Sequence, residues 1–202
     1  MGRVAKQDRR VPDGYVHGPA AAIEATGLAL AKVADPRCMI LVEGISDQIA
    51  VETLARLRGR DLMAERVAVV PIGGAHAVRR FVAEHRECPM VALTDSAEVA
   101  LFRRELDADR IFVCDTDLED ELIRALGADR VLEMLDAERD RRRFVTLQKQ
   151  DPWRGRPIEA QLRRFLGSGA RRKSRYAQLL TTAAVECDRV PAPLERVLRC
   201  DP

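Results

Sequence analysis

No apolar run in this 202-residue chain approaches the ~18 residues needed to cross a bilayer, which excludes a transmembrane helix. The first ten residues are basic, but no apolar segment follows them, so export is not expected and a cytoplasmic location is. The five cysteines (Cys38, Cys88, Cys114, Cys187, Cys200) are odd in number, scattered and never in a C-x-x-C pair, which argues against a zinc site or a disulfide framework. They read as reduced thiols, with Cys38 and Cys114 small core residues in apolar runs. The three histidines (His17, His76, His85) share no ligand spacing. His76, after Gly73-Gly74, reads as a first-turn helix residue that could also edge a site. The lone Trp153 reads as a loop anchor more readily than as a base-stacking platform. There is no internal repeat and no low-complexity linker.

What is present is a globular composition, 47% hydrophobic, long enough for one substantial core and a small subdomain. Net charge is only +2, but it is segregated. Between Arg139 and Arg175 thirteen Arg or Lys face three acids, a local charge of +10 that leaves −8 on the rest of the chain. Such segregation suggests a polyanion held on a basic face beside an acidic pocket. The plainer reading is a solvated helical surface in an arginine-rich chain.

Residues 1–18 are polar and turn-rich and read as a loose arm. Residues 19–34 read as a helix with Ile23, Leu28, Leu30 and Val33 on its apolar side. An alternation follows: strands at 38–42, 67–71, 90–93 and 110–114, with helices at 46–58, 75–85, 96–106 and 118–126, the last stopped by Gly127. Wholly apolar strands alternating with amphipathic helices predict a parallel sheet of about four strands, covered on both faces. This α/β unit spans 19–127. Residues 128–202 read as a basic helical extension, with helices at 131–139, 157–166, 171–184 and 193–198 and a short strand at 144–147.

Two apolar runs end in carboxylates where a strand should stop and a helix begin: Ile40-Leu-Val-Glu-Gly-Ile-Ser-Asp47 and Val91-Ala-Leu-Thr-Asp95. In an open α/β sheet, ligands collect at the C-terminal ends of the strands, so Glu43, Asp47 and Asp95 are expected in one crevice. Carboxylates lacking a nearby cation in sequence suggest a divalent metal, most naturally Mg²⁺. Ser46 and Ser96 are candidate N-caps, and Asp47 alone also reads as a helix-dipole residue. Glu98, one turn beyond Asp95, could enter the same crevice. After the fourth strand comes Asp115-Thr-Asp-Leu-Glu-Asp-Glu121, where Glu119 and Asp115 are the better candidates and periodicity does not choose between them.

The order Glu43-Gly44 with Asp47, Gly73-Gly74, Asp95, then Asp117-Leu118-Glu119 resembles a Toprim domain. More narrowly, it is similar to the Toprim nuclease domain of the overcoming-lysogenization-defect (OLD) family over roughly residues 38–180. The resemblance implies a Rossmann-like Toprim α/β fold and a Mg²⁺- or Mn²⁺-dependent endonuclease, a hydrolase acting on DNA. It implies Glu43, Asp47, Asp95 and Glu119 as metal ligands, Glu43 and Asp95 as catalytic carboxylates, and Lys173 as the catalytic lysine. Arg142, Arg163, Arg171, Arg172 and Arg175 are then candidates for holding the DNA backbone, with no base-reading motif.

Two departures qualify the likeness. Ala97 stands where the family's second aspartate belongs, leaving Glu98 to substitute as a ligand or the second metal site incomplete. Full OLD proteins also carry an upstream ATPase domain that the sequence lacks, so an ATPase partner in trans is left open, as is a homodimer. The one P-loop look-alike, Gly167-Ser-Gly-Ala-Arg-Arg-Lys-Ser174, has Arg172 at its second glycine position and follows a helix, so nucleotide binding there is rejected. Two rivals remain: a nucleic-acid- or partner-binding module with a degenerate metal site, and a receiver-like or nucleotide-binding α/β domain that leaves the basic extension unexplained.

Overall fold

The computed structural model describes residues 12–16 and 20–199. Four strands, β1 (Cys38–Val42), β2 (Val67–Pro71), β3 (Met90–Asp95) and β4 (Ile111–Cys114), form one parallel sheet in the order β2-β1-β3-β4. Chain order reverses beside β1, because β2 lies on one side of it and β3 on the other. The crevice of such a sheet opens at this reversal, between the C-terminal ends of β1 and β3.

The period of two along each strand sorts side chains to the two faces. Ile40, Val42, Val67, Val69, Val91 and Leu93 point into one core, and Met39, Leu41, Ala68, Val70, Met90 and Ala92 into the other. The second core is covered by α1 (Ala21–Lys32), α3 (Val78–Glu84) and the single turn α4 (Val99–Phe102). The first is covered by α2 (Ile45–Leu57), α5 (Leu118–Leu126) and everything C-terminal to it: α6 (Ala128–Ala137), α7 (Arg141–Gln148), α8 (Ile158–Leu166), α9 (Ala170–Glu186) and α10 (Ala192–Leu198). Residues 128–198 thus share a continuous core with the sheet. Phe144, Leu162, Leu166, Leu180 and the fully buried Tyr176 supply much of it, each such side chain worth about 1.5–3 kcal/mol of burial. α9 lies along α2, and α10 along β3 and β4.

Several local expectations are corrected. Phe144–Leu147 is not a strand but part of α7, because Phe144 and Leu147 lie three apart on one buried helical face. α1 buries Ala21, Ala25 and Ala29, whereas Ile23 is 83% exposed and Leu28 50%. Small residues let that helix lie close to β2, where the Thr26 hydroxyl donates to Pro71 O. The helix expected over 96–106 is only α4, preceded and followed by turns. Pro19 and most of the expected N-terminal arm lie outside the described residues. Within 12–16, Tyr15 packs against the first core and its hydroxyl donates to Glu52 Oε2 at 2.6 Å.

Candidate metal centre

The site is built at the reversal of strand order. Glu43 is the first residue past β1, and its Oε1 accepts from the Thr94 hydroxyl at 2.7 Å and from the Asp95 backbone N–H at 3.0 Å. The carboxylate is thereby pinned across the gap between β1 and β3. The loop leaving β2 closes over the same point: Gly74 N–H donates to Glu43 O at 3.0 Å, and Gly73 and Gly74 take φ of 77° and 107°, which disfavour side chains with a Cβ. Past Gly44, α2 begins at Ile45. Its N-cap is Gly44, whose N–H donates to Asp47 Oδ2 at 3.0 Å from the third helical position, while Ser46 is buried and caps nothing. Ser96 does not cap α4 either. Its hydroxyl donates to Asp115 O and ties the end of β3 to the end of β4.

The electrostatics show which carboxylates share the crevice. Burial first, then the negative charges of Glu43, Asp47, Asp117 and Glu119, push the Asp95 carboxyl up to about 8. Burial and the charges of Glu43 and Asp117 raise Asp47, opposed by Lys173 and the Gly44 N–H. Glu98 is raised by burial, by the charge of Glu43 and by a hydrogen bond to it, against the lowering influence of the Ala75 N–H and His76. Its Oε2 is buried without a hydrogen-bond partner. Glu119 is 6% exposed and held at about 7, burial outweighing Lys173, whose Nζ lies 3.3 Å from Glu119 Oε1.

Glu43, Asp47, Asp95, Glu98, Glu119 and Lys173 are therefore brought together. Asp115 faces outward, its backbone N–H bonded to Glu121 Oε1, which decides for Glu119 in the acidic cluster after β4. His76 is exposed in the turn Ala75–Ala77 at the rim, close enough for its charge to act on Glu98. Trp153 is half-buried against the first core beneath the Arg164 guanidinium.

Asp117 joins the site although periodicity gave it no role. It caps α5 by accepting the Asp120 N–H at 2.7 Å, and its other oxygen takes the Arg163 guanidinium. Its signal was a capping aspartate directly before an amphipathic helix. The five arginines separate. Arg163 reaches the site through Asp117, and Arg142 and Arg171 are exposed. Arg172 turns inward to the carbonyls of Phe165 and Ser168 and lies 4.0 Å over the Phe165 ring. Arg175, its side chain 12% exposed, pairs with the buried Asp140. Arg172 and Arg175 thus hold the helical layer together.

The donor set suits a hard divalent cation: carboxylate oxygens only, one of them buried and unpartnered, crowded enough to raise one another's affinity for protons. Among the described residues no three His, Cys, Asp or Glu side chains are placed so that they could hold a metal ion, so these are candidate donors whose rotamers would have to gather.

A parallel sheet reversing at a Glu-Gly corner, with one aspartate, Asp95, at the next strand end, makes a Toprim-like α/β fold. Residues 36–96 match the family described as overcoming lysogenization defect protein-like, TOPRIM domain. The chain is also similar to the C-terminal region of the Burkholderia pseudomallei OLD protein, at 21% identity and a TM-score of 0.58, over 82% of this chain and 96% of that one. It is similar to the C-terminal region of the Xanthomonas campestris pv. campestris OLD protein, at 25% identity and a TM-score of 0.57, over 83% and 93%. Comparison with curated proteins gives no match. No helix among the described residues is long and apolar enough to cross a membrane.

Proposed function

We propose that the chain hydrolyses phosphodiester bonds of DNA as a Mg²⁺- or Mn²⁺-dependent endonuclease. The observation that carries this reading is the meeting of Glu43, Asp47, Asp95, Glu98 and Glu119 at the strand-order reversal with Lys173 among them. These five carboxylates would hold the metal, which when bound supplies an activated water and neutralises phosphate charge.

The chain's own groups do the rest. Lys173 keeps its proton: burial would lower it, but Glu119, Asp47 and Asp117 together raise it, so Nζ presents a fixed positive charge as negative charge builds on the phosphate. Arg163, anchored on Asp117, and the exposed Arg142 and Arg171 supply backbone contacts that read no sequence. The cytoplasm would be the site of action.

The rival, a nucleic-acid- or partner-binding module with a degenerate metal site, has one feature in its favour: the exposed Ala97 brings no carboxylate where the family has its second aspartate. The two separate on one assay, nicking of supercoiled plasmid with Mg²⁺, Mn²⁺ or a chelator, with Glu43→Gln as control. Metal-dependent nicking lost in Glu43→Gln supports the nuclease. DNA binding without nicking in either metal would overturn it in favour of the binding module.

A further inference from the structure

A second cluster of arginines lies outside the segment 139–175 and on the opposite layer of the molecule. Arg79, Arg86 and Arg104 line a depression of about 320 Å³ floored by Val82 and Ala83 between α3 and the turn after α4, with Glu105 the one carboxylate on its wall. All three arginines are exposed, and none makes an ion pair or side-chain hydrogen bond among the described residues. By contrast, neighbouring Arg80 lies 3.7 Å from Glu84, and arginines elsewhere pair freely, as Arg66 does with Asp35 and Arg124 with Glu121 and Asp120. Three unpaired guanidiniums around one hollow repel each other, an arrangement stabilised when an anion enters.

The place of the hollow says which anion. α3 and α4 start from the loops that leave the C-terminal ends of β2 and β3, the end where the carboxylates meet. Arg79 is the second residue of α3, and Arg104 follows α4, a single turn about 6 Å long that begins next to Glu98. The basic residues of α7, α8 and α9 cover the other face of the sheet. Arg86 lies two residues past α3, toward the start of β3, so the hollow leads from the carboxylate end of the sheet away along the α3–α4 layer.

We infer that Arg79, Arg86 and Arg104 form a second phosphate-binding surface that holds the nucleic-acid backbone where it leaves the site on the α3–α4 side. This rests on the nuclease reading and adds the path of its substrate. Arginine forks suit the two free oxygens of a backbone phosphate, and sequence plays no part.

The test is duplex affinity by fluorescence anisotropy at several salt concentrations with Ca²⁺ present, comparing wild type with Arg79→Glu/Arg104→Glu and with Arg79→Gln/Arg86→Gln/Arg104→Gln. On a duplex of roughly 40 base pairs, affinity should fall about tenfold or more. The log–log salt slope should shrink by roughly 0.9 for each phosphate the variant no longer neutralises. Equal affinity of wild type and both variants for this duplex would overturn the inference while leaving the nuclease reading intact. A wild-type protein that neither binds nor nicks DNA would overturn the nuclease reading and this surface with it.

Discussion

Lys173 reaches the buried carboxylate of Glu119 across the seam between the first turn of α9 and the first turn of α5, Nζ to Oε1 3.3 Å. This ion pair joins the helical layer to the strand-end site and gives the crowded carboxylates a cation built into the chain. It also makes Glu119 double-natured: burial presses it to stay protonated at about 7, and Lys173 opposes that pressure.

Replacing Lys173 should therefore separate rate from affinity. In Lys173→Ala, single-turnover cleavage is expected to fall on the order of a hundredfold or more with little change in DNA affinity, because the charge matters most when negative charge builds in the transition state. The variant also leaves Glu119 without its cation, so it should lose more stability at pH 8 than at pH 6, where the carboxyl can take a proton. Equal losses of rate and affinity would make Lys173 one more residue that merely holds the DNA backbone.

Glu98 stands one position past Ala97 and presents a buried oxygen without a partner beside Glu43. If it does the work of the missing aspartate, Glu98→Gln should weaken the apparent Mg²⁺ affinity, read from the metal dependence of nicking, by roughly 10–100-fold. An unchanged metal dependence would mean that the domain works without a carboxylate from the segment after Asp95.

Much of this was legible in the chain because apolar periodicity and strand-end carboxylates are local signals. The strands at 38–42 and 67–71 and the helix at 118–126 stand as read. Strand order is not a local property, yet it places Glu43 beside Asp95. Phe144–Leu147 was misleading because a short apolar run suits either a strand or a helix turn, and packing under α8 settles it. Ile23 and Leu28 misled in the opposite sense, since α1 packs through alanines. The fate of each arginine depended on partners distant in sequence, such as Asp117 for Arg163 and Asp140 for Arg175.

Asp95 makes a prediction about stability. Folded, its carboxyl holds a proton up to about 8, whereas unfolded it releases it near 4. Between those values the folded state binds more protons, so without metal the melting temperature should fall as pH rises from about 4 to 8. Asp95→Asn should flatten that fall, melting above wild type at pH 8 with the gap closing toward pH 4, while losing cleavage. Added Mg²⁺ should raise the wild-type melting temperature at pH 8 and affect Asp95→Asn much less. A variant that melts below wild type at pH 8 would show that Asp95 is not under charge strain.

The arginines of the helical layer should fall into two classes. Arg142 and Arg171 are exposed, so Arg142→Glu/Arg171→Glu should weaken duplex binding and reduce the log–log salt slope by roughly 0.9 per phosphate, at unchanged melting temperature. Arg175→Ala should do the reverse. It strands Asp140, whose side chain is 1% exposed and whose other partners are the Tyr176 hydroxyl at 3.1 Å and Arg143 at 3.4 Å. Losing one partner of a buried pair costs about 3–5 kcal/mol, so the loss should appear in chemical denaturation. Arg172→Ala should resemble Arg175→Ala more mildly, because the Phe165 carbonyl keeps the Ser168 N–H and hydroxyl as donors. Arg163→Glu joins the first class with an added cost, since it loses a backbone contact and sets a carboxylate against Asp117, so it should weaken both binding and cleavage. A salt slope lowered by Arg175→Ala in protein shown to be folded would return that residue to the DNA-binding surface.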